Sequence, residues 1–164
     1  MVDAVATHAG RVRGDVDAVR ACEETAVLFC ELLDSGDAVA AFGLHDDDLA
    51  FYPPGAKEPL PKEAAIAVGE RILAGYPGRR TLHLLGNFLA HAVDDQTVRA
   101  QYVVSIYELT REVDGSAQER EVPTLFAFAH EQALFRRGPD GRWRYLEQRM
   151  IPIAPRDPFA GGDR

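Results

Sequence analysis

The residues with the clearest chemical potential lie in the segment Thr81-Leu-His-Leu-Leu-Gly-Asn87, where a histidine and an asparagine stand in apolar company. A strand places residues of even separation on one face, so the segment predicts that His83 and Asn87 point the same way. An imidazole is a good general base near neutral pH, and a side-chain amide can bind a carbonyl group. Such a pair either faces solvent or lines a pocket, and the surrounding elements decide which.

The composition is that of one globular domain. The chain has 164 residues, of which 46% are hydrophobic and 27% charged, enough for a sizeable core. We predict a flexible leader over residues 1–14, a single domain over 15–154 and a flexible tail over 155–164. The formal net charge of −8 disfavours a general nucleic-acid binder, because such proteins need a basic surface to neutralise phosphates.

The sequence favours a cytoplasmic protein that needs neither a metal nor a cofactor. No apolar run approaches the ~18 residues that cross a bilayer, and the N-terminus lacks a signal-peptide core. Cys22 and Cys30 fall on one predicted helix, roughly 12 Å apart along its axis, so they are expected to be separate buried thiols. His45 precedes three aspartates, but we expect a polar turn there with no ligand at a defined spacing, hence no metal site.

Apolar periodicity divides the chain into a helical part and a strand-rich part. The predicted helices cover about 16–33, 37–44 and 61–75, and the predicted strands cover about 49–52, 80–93, 97–112, 120–137 and 142–153. Helices followed by a meander of strands indicate an α+β fold, with the helices on one face of an antiparallel sheet. Strands this long must twist and curl, so a cone with an internal cavity is expected.

Four landmarks, in this order, resemble one family. They are Leu32-Leu-Asp-Ser-Gly-Asp37, Asp46 to Tyr52, Thr81 to Asn87, and Gly141-Arg-Trp-Arg-Tyr-Leu-Glu-Gln-Arg149. The chain resembles the SnoaL-like branch of the nuclear transport factor 2-like (NTF2-like) superfamily over nearly its whole length. The resemblance implies a cone-shaped barrel closed by N-terminal helices around a pocket, and a homodimer formed through the outer face of the sheet. The family includes dehydratases, a dehydrochlorinase, polyketide cyclases, isomerases and non-catalytic proteins, so the fold alone assigns no reaction.

The resemblance also implies roles for particular residues. In the dehydratase-like and dehydrochlorinase-like branch, a histidine matching His83 removes a proton and an aspartate matching Asp34 orients it. The chemistry is sound in itself, because a carboxylate fixes the imidazole tautomer and stabilises the imidazolium. His130 could replace an acid that the branch often carries elsewhere. The catalytic candidates are therefore His83, Asp34 and His130.

The sequence departs from this branch at two positions. Phe29 stands where the branch often has a tyrosine, and Gln132 stands where it often has an aspartate on the penultimate strand. These departures remove a phenol and a carboxylate from the expected site. An arginine on the last strand, Arg149, could hold an anionic or carbonyl group of the substrate. The substrate-binding candidates are Asn87, Arg149, Gln132, Phe29 and Tyr102.

Two functions of different classes follow. The first is a cofactor-independent lyase or isomerase, dehydratase-like or cyclase-like, acting on a small cyclic or polyketide-like molecule. The second is a non-catalytic module that binds small molecules or assists assembly, for example one like a dioxygenase small subunit. The enzyme hypothesis requires His83 and Asp34 to lie within hydrogen-bonding distance inside a cavity. A solvent-facing His83, or a cone packed solid with side chains, would favour the second.

Overall fold

The computed structural model describes residues 15–74, 80–113 and 119–153. It contains three helices, α1 (Asp15–Asp34), α2 (Ala38–Gly43) and α3 (Lys62–Ala74), and five strands, β1 (His45–Tyr52), β2 (Arg80–Asp94), β3 (Thr97–Val113), β4 (Glu119–Arg137) and β5 (Trp143–Pro152). The predicted leader, the whole of the predicted tail and two predicted turns, at residues 76–78 and 114–115, lie outside the described residues. The long strands and helices fall where periodicity predicts them, to within a few residues.

The five strands form one sheet in the order β1-β5-β4-β3-β2. Neighbouring strands are antiparallel except for β1, which runs parallel to β5 at the edge. Apolar residues of the helices and of the inward-facing strand positions share one core, which is what buries the helices on that side of the sheet. The predicted α+β fold is confirmed, with a mixed sheet in place of a purely antiparallel one. No helix in the described part of the chain is long and apolar enough to span a membrane.

The prediction of a polar turn at His45–Asp48 was wrong, because these residues open β1. His45 pairs with Tyr145 of β5 and is fully buried. Two of the three aspartates that suggested a turn bind Arg136 of β4, whose guanidinium donates hydrogen bonds to Asp46 and Asp48, and the Lys62 ammonium donates to Asp47. The pairing with Arg136 lowers the pKa of the Asp46 carboxyl against the opposing effect of partial burial. The run of charges made this segment resemble a turn, but ion pairs with residues elsewhere in the chain allow it to form a strand.

Two features of the helical layer bear on the interior. Cys22 and Cys30 are buried free thiols, and burial raises the pKa of each to about 12. Gly69 allows α3 to approach α2 closely, because a Cβ at this position would lie 3.0 Å from the Phe42 ring and 3.2 Å from the Ala38 Cβ. The thiols are inert fillers of the core, and the glycine sets how near the two helices come.

Candidate functional site

A cavity of about 550 Å³ opens between the helices and the concave face of the sheet. Its wall is mostly apolar and aromatic, and its polar groups are few. The described apolar lining includes Phe29, Leu33, Phe42, Phe51, Val68, Ile72, Leu73, Ile106, Phe126 and Met150, and the polar lining includes Asp34, Ser35, Arg80, Thr81, His83 and Gln148. This is the character of a small-molecule site, in which apolar walls bind the ligand and a few polar groups orient it.

The end of α1 places Asp34 in this wall. The Asp37 N–H donates to the Leu32 carbonyl at 2.9 Å and the Gly36 N–H donates to the Leu33 carbonyl at 3.0 Å. Gly36 has a φ of +84°, so these bonds form a Schellman motif that a residue with a side chain would strain. The motif ends α1 at Asp34, whose carboxylate then reaches across to β2.

The Asp34 carboxylate is held by three hydrogen bonds from β2. The His83 Nδ1 lies 2.5 Å from Oδ1, the His83 backbone N–H donates to Oδ2 at 2.8 Å, and the Thr81 hydroxyl donates to Oδ1 at 3.0 Å. The side chains of His83 and Asp34 are 12% and 19% exposed. The carboxylate therefore fixes the imidazole in one orientation at the cavity wall.

This geometry leaves one ring nitrogen for a ligand. With Nδ1 donating to Asp34, the neutral imidazole carries its lone pair on Nε2, which makes no hydrogen bond to the described part of the chain. An imidazole whose proton is held on one nitrogen by a carboxylate can accept a proton on the other, and the carboxylate stabilises the resulting imidazolium. His83 and Asp34 are thus together in the cavity, and Phe29 lines the wall beside them.

The prediction that Asn87 shares the face of His83 was wrong because of a β-bulge. The β2–β3 register shifts between Gly86 and Leu89, so Asn87 and Phe88 together oppose one residue of β3. Asn87 has a φ of +52°, a left-handed conformation that asparagine tolerates better than most residues. The extra residue reverses the alternation, so Asn87 is exposed and Phe88 turns inward.

His130 and Gln132 were also misassigned, since both lie on the outer face of the sheet. His130 pairs with Ile151, which is 38% exposed, and Gln132 is exposed. The residue between them, Glu131, faces inward and is 2% exposed. A carboxyl group is therefore present on the penultimate strand, one position before the one expected. Buried alanines at 127, 129 and 133 lie on the same strand face as residue 131, and this two-residue spacing could have revealed the inward-facing position.

The last strand shows the same one-residue offset. Arg149 stacks over the Tyr52 ring, 3.5 Å from its centroid, and pairs in register with the exposed Gln132, so it does not enter the described cavity lining. Gln148 points inward instead. The remaining candidate, Tyr102, is buried beneath the cavity, and its hydroxyl lies 2.9 Å from that of Tyr145.

Sequence reasoning missed a buried polar cluster behind the cavity wall. The His45 Nε2 lies 2.8 Å from the Gln148 Oε1, and a Gln148 hydrogen bond reaches Glu131. Burial lowers the pKa of His45 to about 4 and raises that of Glu131 to about 8, so both are neutral at pH 7. The His45 Nδ1 and the Glu131 Oε2 are buried without a hydrogen-bond partner.

No set of three or more His, Cys, Asp or Glu side chains within residues 15–74, 80–113 and 119–153 is arranged to hold a metal ion. The run His45–Asp48 shows why. Its histidine points into the core, and its first and third aspartates bind Arg136 at the surface.

Comparisons with known proteins identify the fold. No protein-family model matches the sequence, and no curated protein matches it either. Among solved structures, a candidate scytalone dehydratase from Novosphingobium aromaticivorans superposes with a TM-score of 0.67 at 13% identity, covering 85% of this chain and 87% of its own. A Catenulispora acidiphila protein in complex with S-DNPA gives 0.66 at 13%, covering 83% and 93%. An NTF2-like protein with a cystatin-like fold, also from N. aromaticivorans, gives 0.60 at 20%, covering 85% and 86%.

These likenesses extend over most of each chain, and the element order and curved five-stranded sheet agree with them. Sequence identity this low carries the fold and leaves the reaction to the site itself. The chain has the same fold as these structures, one of which is an NTF2-like protein, and this is the fold that its sequence landmarks predict.

Proposed function

We propose that the protein is a cofactor-independent lyase or isomerase that removes a proton from a carbon of a small cyclic ligand, with His83 as the general base. The observation that carries the proposal is the 2.5 Å contact between His83 Nδ1 and Asp34 Oδ1 at the wall of a largely apolar cavity. Asp34 is the positioning partner, because its carboxylate orients the ring and offsets the charge that develops on it.

The proposed step is a β-elimination or a proton shift. Nε2 of His83 takes a proton from the carbon next to a carbonyl, and the electron pair of the C–H bond moves to form a double bond. In a dehydration the bond from the β-carbon to its hydroxyl breaks, and the imidazolium returns its proton to that hydroxyl, releasing water. Among the described lining residues, His83 is the group suited to both transfers, so a single imidazole serves as base and then as acid.

The cavity wall suits a neutral, flat, partly aromatic ligand. Phe29, Phe42, Phe51 and Phe126 supply ring surfaces, and the charged lining is confined to the edge near β2. Of the structures with a similar fold, one is a candidate scytalone dehydratase and another is in complex with S-DNPA, which supports a small-molecule ligand for this chain. A hydroxylated two-ring or three-ring ketone is the substrate class that we propose.

A direct test uses 3-hydroxy-1-tetralone, which loses water to give 1-naphthol. The wild-type protein should accelerate the appearance of naphthol fluorescence, and His83→Ala should lower kcat/KM by about 10²–10⁴-fold because the proton acceptor is gone. Deuterium incorporation at the α-carbon of 1-tetralone, followed by NMR, isolates the proton transfer from loss of hydroxyl.

The matched control is His91→Ala, on the same strand but exposed. It should leave the rate unchanged. Equal rates for the wild type and His83→Ala would refute the base assignment. If the wild type binds both tetralones yet catalyses neither reaction, the non-catalytic binding module becomes the better description.

We also propose that the protein forms a homodimer through the outer face of its sheet. Large apolar residues that are between 37% and 55% exposed lie on that face of β2, β4 and β5: Leu82, Leu84, Leu89, Val93, Leu125 and Ile151. An exposed apolar surface of this kind is typical of an interaction site. Light scattering should give twice the mass of the chain, and Leu84→Glu should give a monomer. A wild-type monomer at micromolar concentration would exclude the dimer.

A further inference from the structure

Gln148 brings an amide to a part of the cavity wall that is otherwise apolar. It lies on β5 and is 2% exposed, with Phe42, Phe51 and Met150 as neighbouring lining residues. In the sheet order, β5 is separated from β2 by β4 and β3. Gln148 pairs with Ala133, whose row across the sheet continues to Ala90 of β2, whereas His83 lies in a different row, seven residues earlier on that strand. The two polar groups therefore face a ligand from different ends.

The orientation of the Gln148 amide is held from behind. Its Oε1 lies 2.8 Å from His45 Nε2, and the His45 ring is stacked between Phe42 and Tyr145, with centroids 4.9 Å and 4.7 Å away. Its amide group also bonds to Glu131, which pairs in register with Met150 of β5 and is buried. An imidazole clamped between two rings and a carboxyl on a rigid strand leave the amide little freedom.

The hydrogen-bonding capacity of this amide exceeds what its protein partners use. A glutamine side chain has two N–H donors and an acceptor oxygen with two lone pairs. The contact with His45 uses the oxygen, and the contact with Glu131 uses one N–H, so one N–H and one lone pair remain. A ligand hydroxyl or carbonyl could meet this capacity, whereas an apolar ligand surface would leave buried polar groups without a hydrogen bond and would bind more weakly.

We propose that Gln148 is a specificity-determining residue that binds an oxygen of the ligand remote from the C–H bond that His83 attacks, and that Glu131 and His45 position it. This role of Gln148 rests on the proposed function, because it uses the same cavity. It narrows the proposed class of ligands to polycyclic compounds with an oxygen at both ends.

The test compares two ligands that differ by one remote hydroxyl, 6-hydroxy-1-tetralone and 1-tetralone. Calorimetric titration of the wild type should show about tenfold tighter binding of the hydroxylated ligand, as one well-formed hydrogen bond provides. In Gln148→Met, which keeps the volume, the ratio of the two dissociation constants should fall to about one while 1-tetralone still binds. Should that variant fold poorly, Gln148→Asn withdraws the amide by one methylene and should lower the ratio likewise.

The positioning role has its own pair of variants. Glu131→Gln keeps a hydrogen-bonding group for the amide and should retain the preference, whereas Glu131→Met should lose it. A merely structural role would weaken binding of both ligands equally and leave their ratio unchanged.

The outcomes separate this inference from the proposed function. His83→Ala should lose turnover and keep the preference for the hydroxylated ligand. Equal affinity of the wild type for the two ligands, no binding of either, or an undiminished preference in Gln148→Met would overturn the role of Gln148. A preference that depends on Gln148 in a protein without turnover would overturn only the proposed function.

Discussion

His83 and His45 occupy opposite kinds of surroundings. His83 lies at the cavity wall, partly exposed, with one ring nitrogen on the Asp34 carboxylate, which also accepts hydrogen bonds from the His83 backbone N–H and the Thr81 hydroxyl. His45 lies in the core, stacked between aromatic rings, with one nitrogen on a neutral amide and the other without a partner. Only the first combines access to a ligand with a negative partner that stabilises the imidazolium.

The difference shows that burial alone does not make a histidine useful for proton transfer. The cost of desolvation lowers the pKa of His45 to about 4, so its ring stays neutral and acts as an aromatic filler that anchors Gln148. The His83 side chain is 12% exposed at the cavity wall, and its Nδ1 contacts the Asp34 carboxylate. Variants around His83 and around His45 test the two sides of this contrast separately.

The largest effect is expected from Asp34→Asn. The amide preserves shape but removes the negative charge that stabilises the imidazolium and fixes the tautomer, so kcat/KM for 3-hydroxy-1-tetralone should fall by about 10²–10⁴-fold. Circular dichroism should report an intact fold. A rate within threefold of the wild type would mean that His83 does not depend on Asp34.

The second expected effect is on stability. His45→Ala would leave a void among Phe29, Phe42 and Tyr145 and deprive Gln148 of a hydrogen-bond partner. The free energy of unfolding, measured in urea, should therefore fall by about 3–5 kcal/mol. His45→Phe refills the void and should recover most of that loss. If His45→Ala instead abolished turnover at unchanged stability, the contrast between the two histidines would collapse.

A smaller effect concerns pH. Burial raises the pKa of Glu131 to about 8 from an ordinary 4.5, so the folded state holds a proton that the unfolded state releases. Stability from this group is complete below about pH 4.5 and declines as the pH rises to about 8. His45, with a lowered pKa, adds the opposite slope between about pH 4 and 6.5, so the net decline falls between about 6.5 and 8.

Urea denaturation at pH 6.5 and at pH 8.5 checks this slope. The free energy of unfolding of the wild type should fall by on the order of a few kcal/mol between pH 6.5 and pH 8.5. That of Glu131→Gln should fall by less, because an amide does not titrate. Parallel losses in both proteins would show that Glu131 is charged in the folded state or that other groups dominate.

The smallest effect separates the two faces of β2. Asn87 lies on the strand of His83 but outside the cavity, with a φ of +52°. Asn87→Gly should leave catalysis unchanged and keep stability within about 1 kcal/mol, whereas the β-branched Asn87→Val should cost about 1–2 kcal/mol by backbone strain. A drop in turnover for Asn87→Gly would place the bulge in the catalytic site.

Periodicity and turn residues predicted the helices and the long strands, because these depend on local pattern. The pairing of His83 with Asp34 was implied by the family resemblance, whose landmarks have a fixed place in the fold. The misassigned residues share one cause. Asn87, Gln132 and Arg149 were each placed on the wrong face, and a strand reverses its faces with a shift of one residue. The position of a bulge, and which of Glu131 and its neighbours faces inward, depend on the strands with which each segment pairs. Those partners lie far along the chain, so the pattern within one strand does not reveal them.

The missing side chain at Gly69 has a consequence for how the cavity could be resized. A methyl group there would meet the Phe42 ring at 3.0 Å, and Phe42 stacks on His45, which in turn holds Gln148. Bulk added at this one point on α3 would therefore be transmitted through two stacked rings to the amide at the far wall. A substitution at position 69 would therefore change the width of the cavity and the placement of the remote hydrogen bond at the same time.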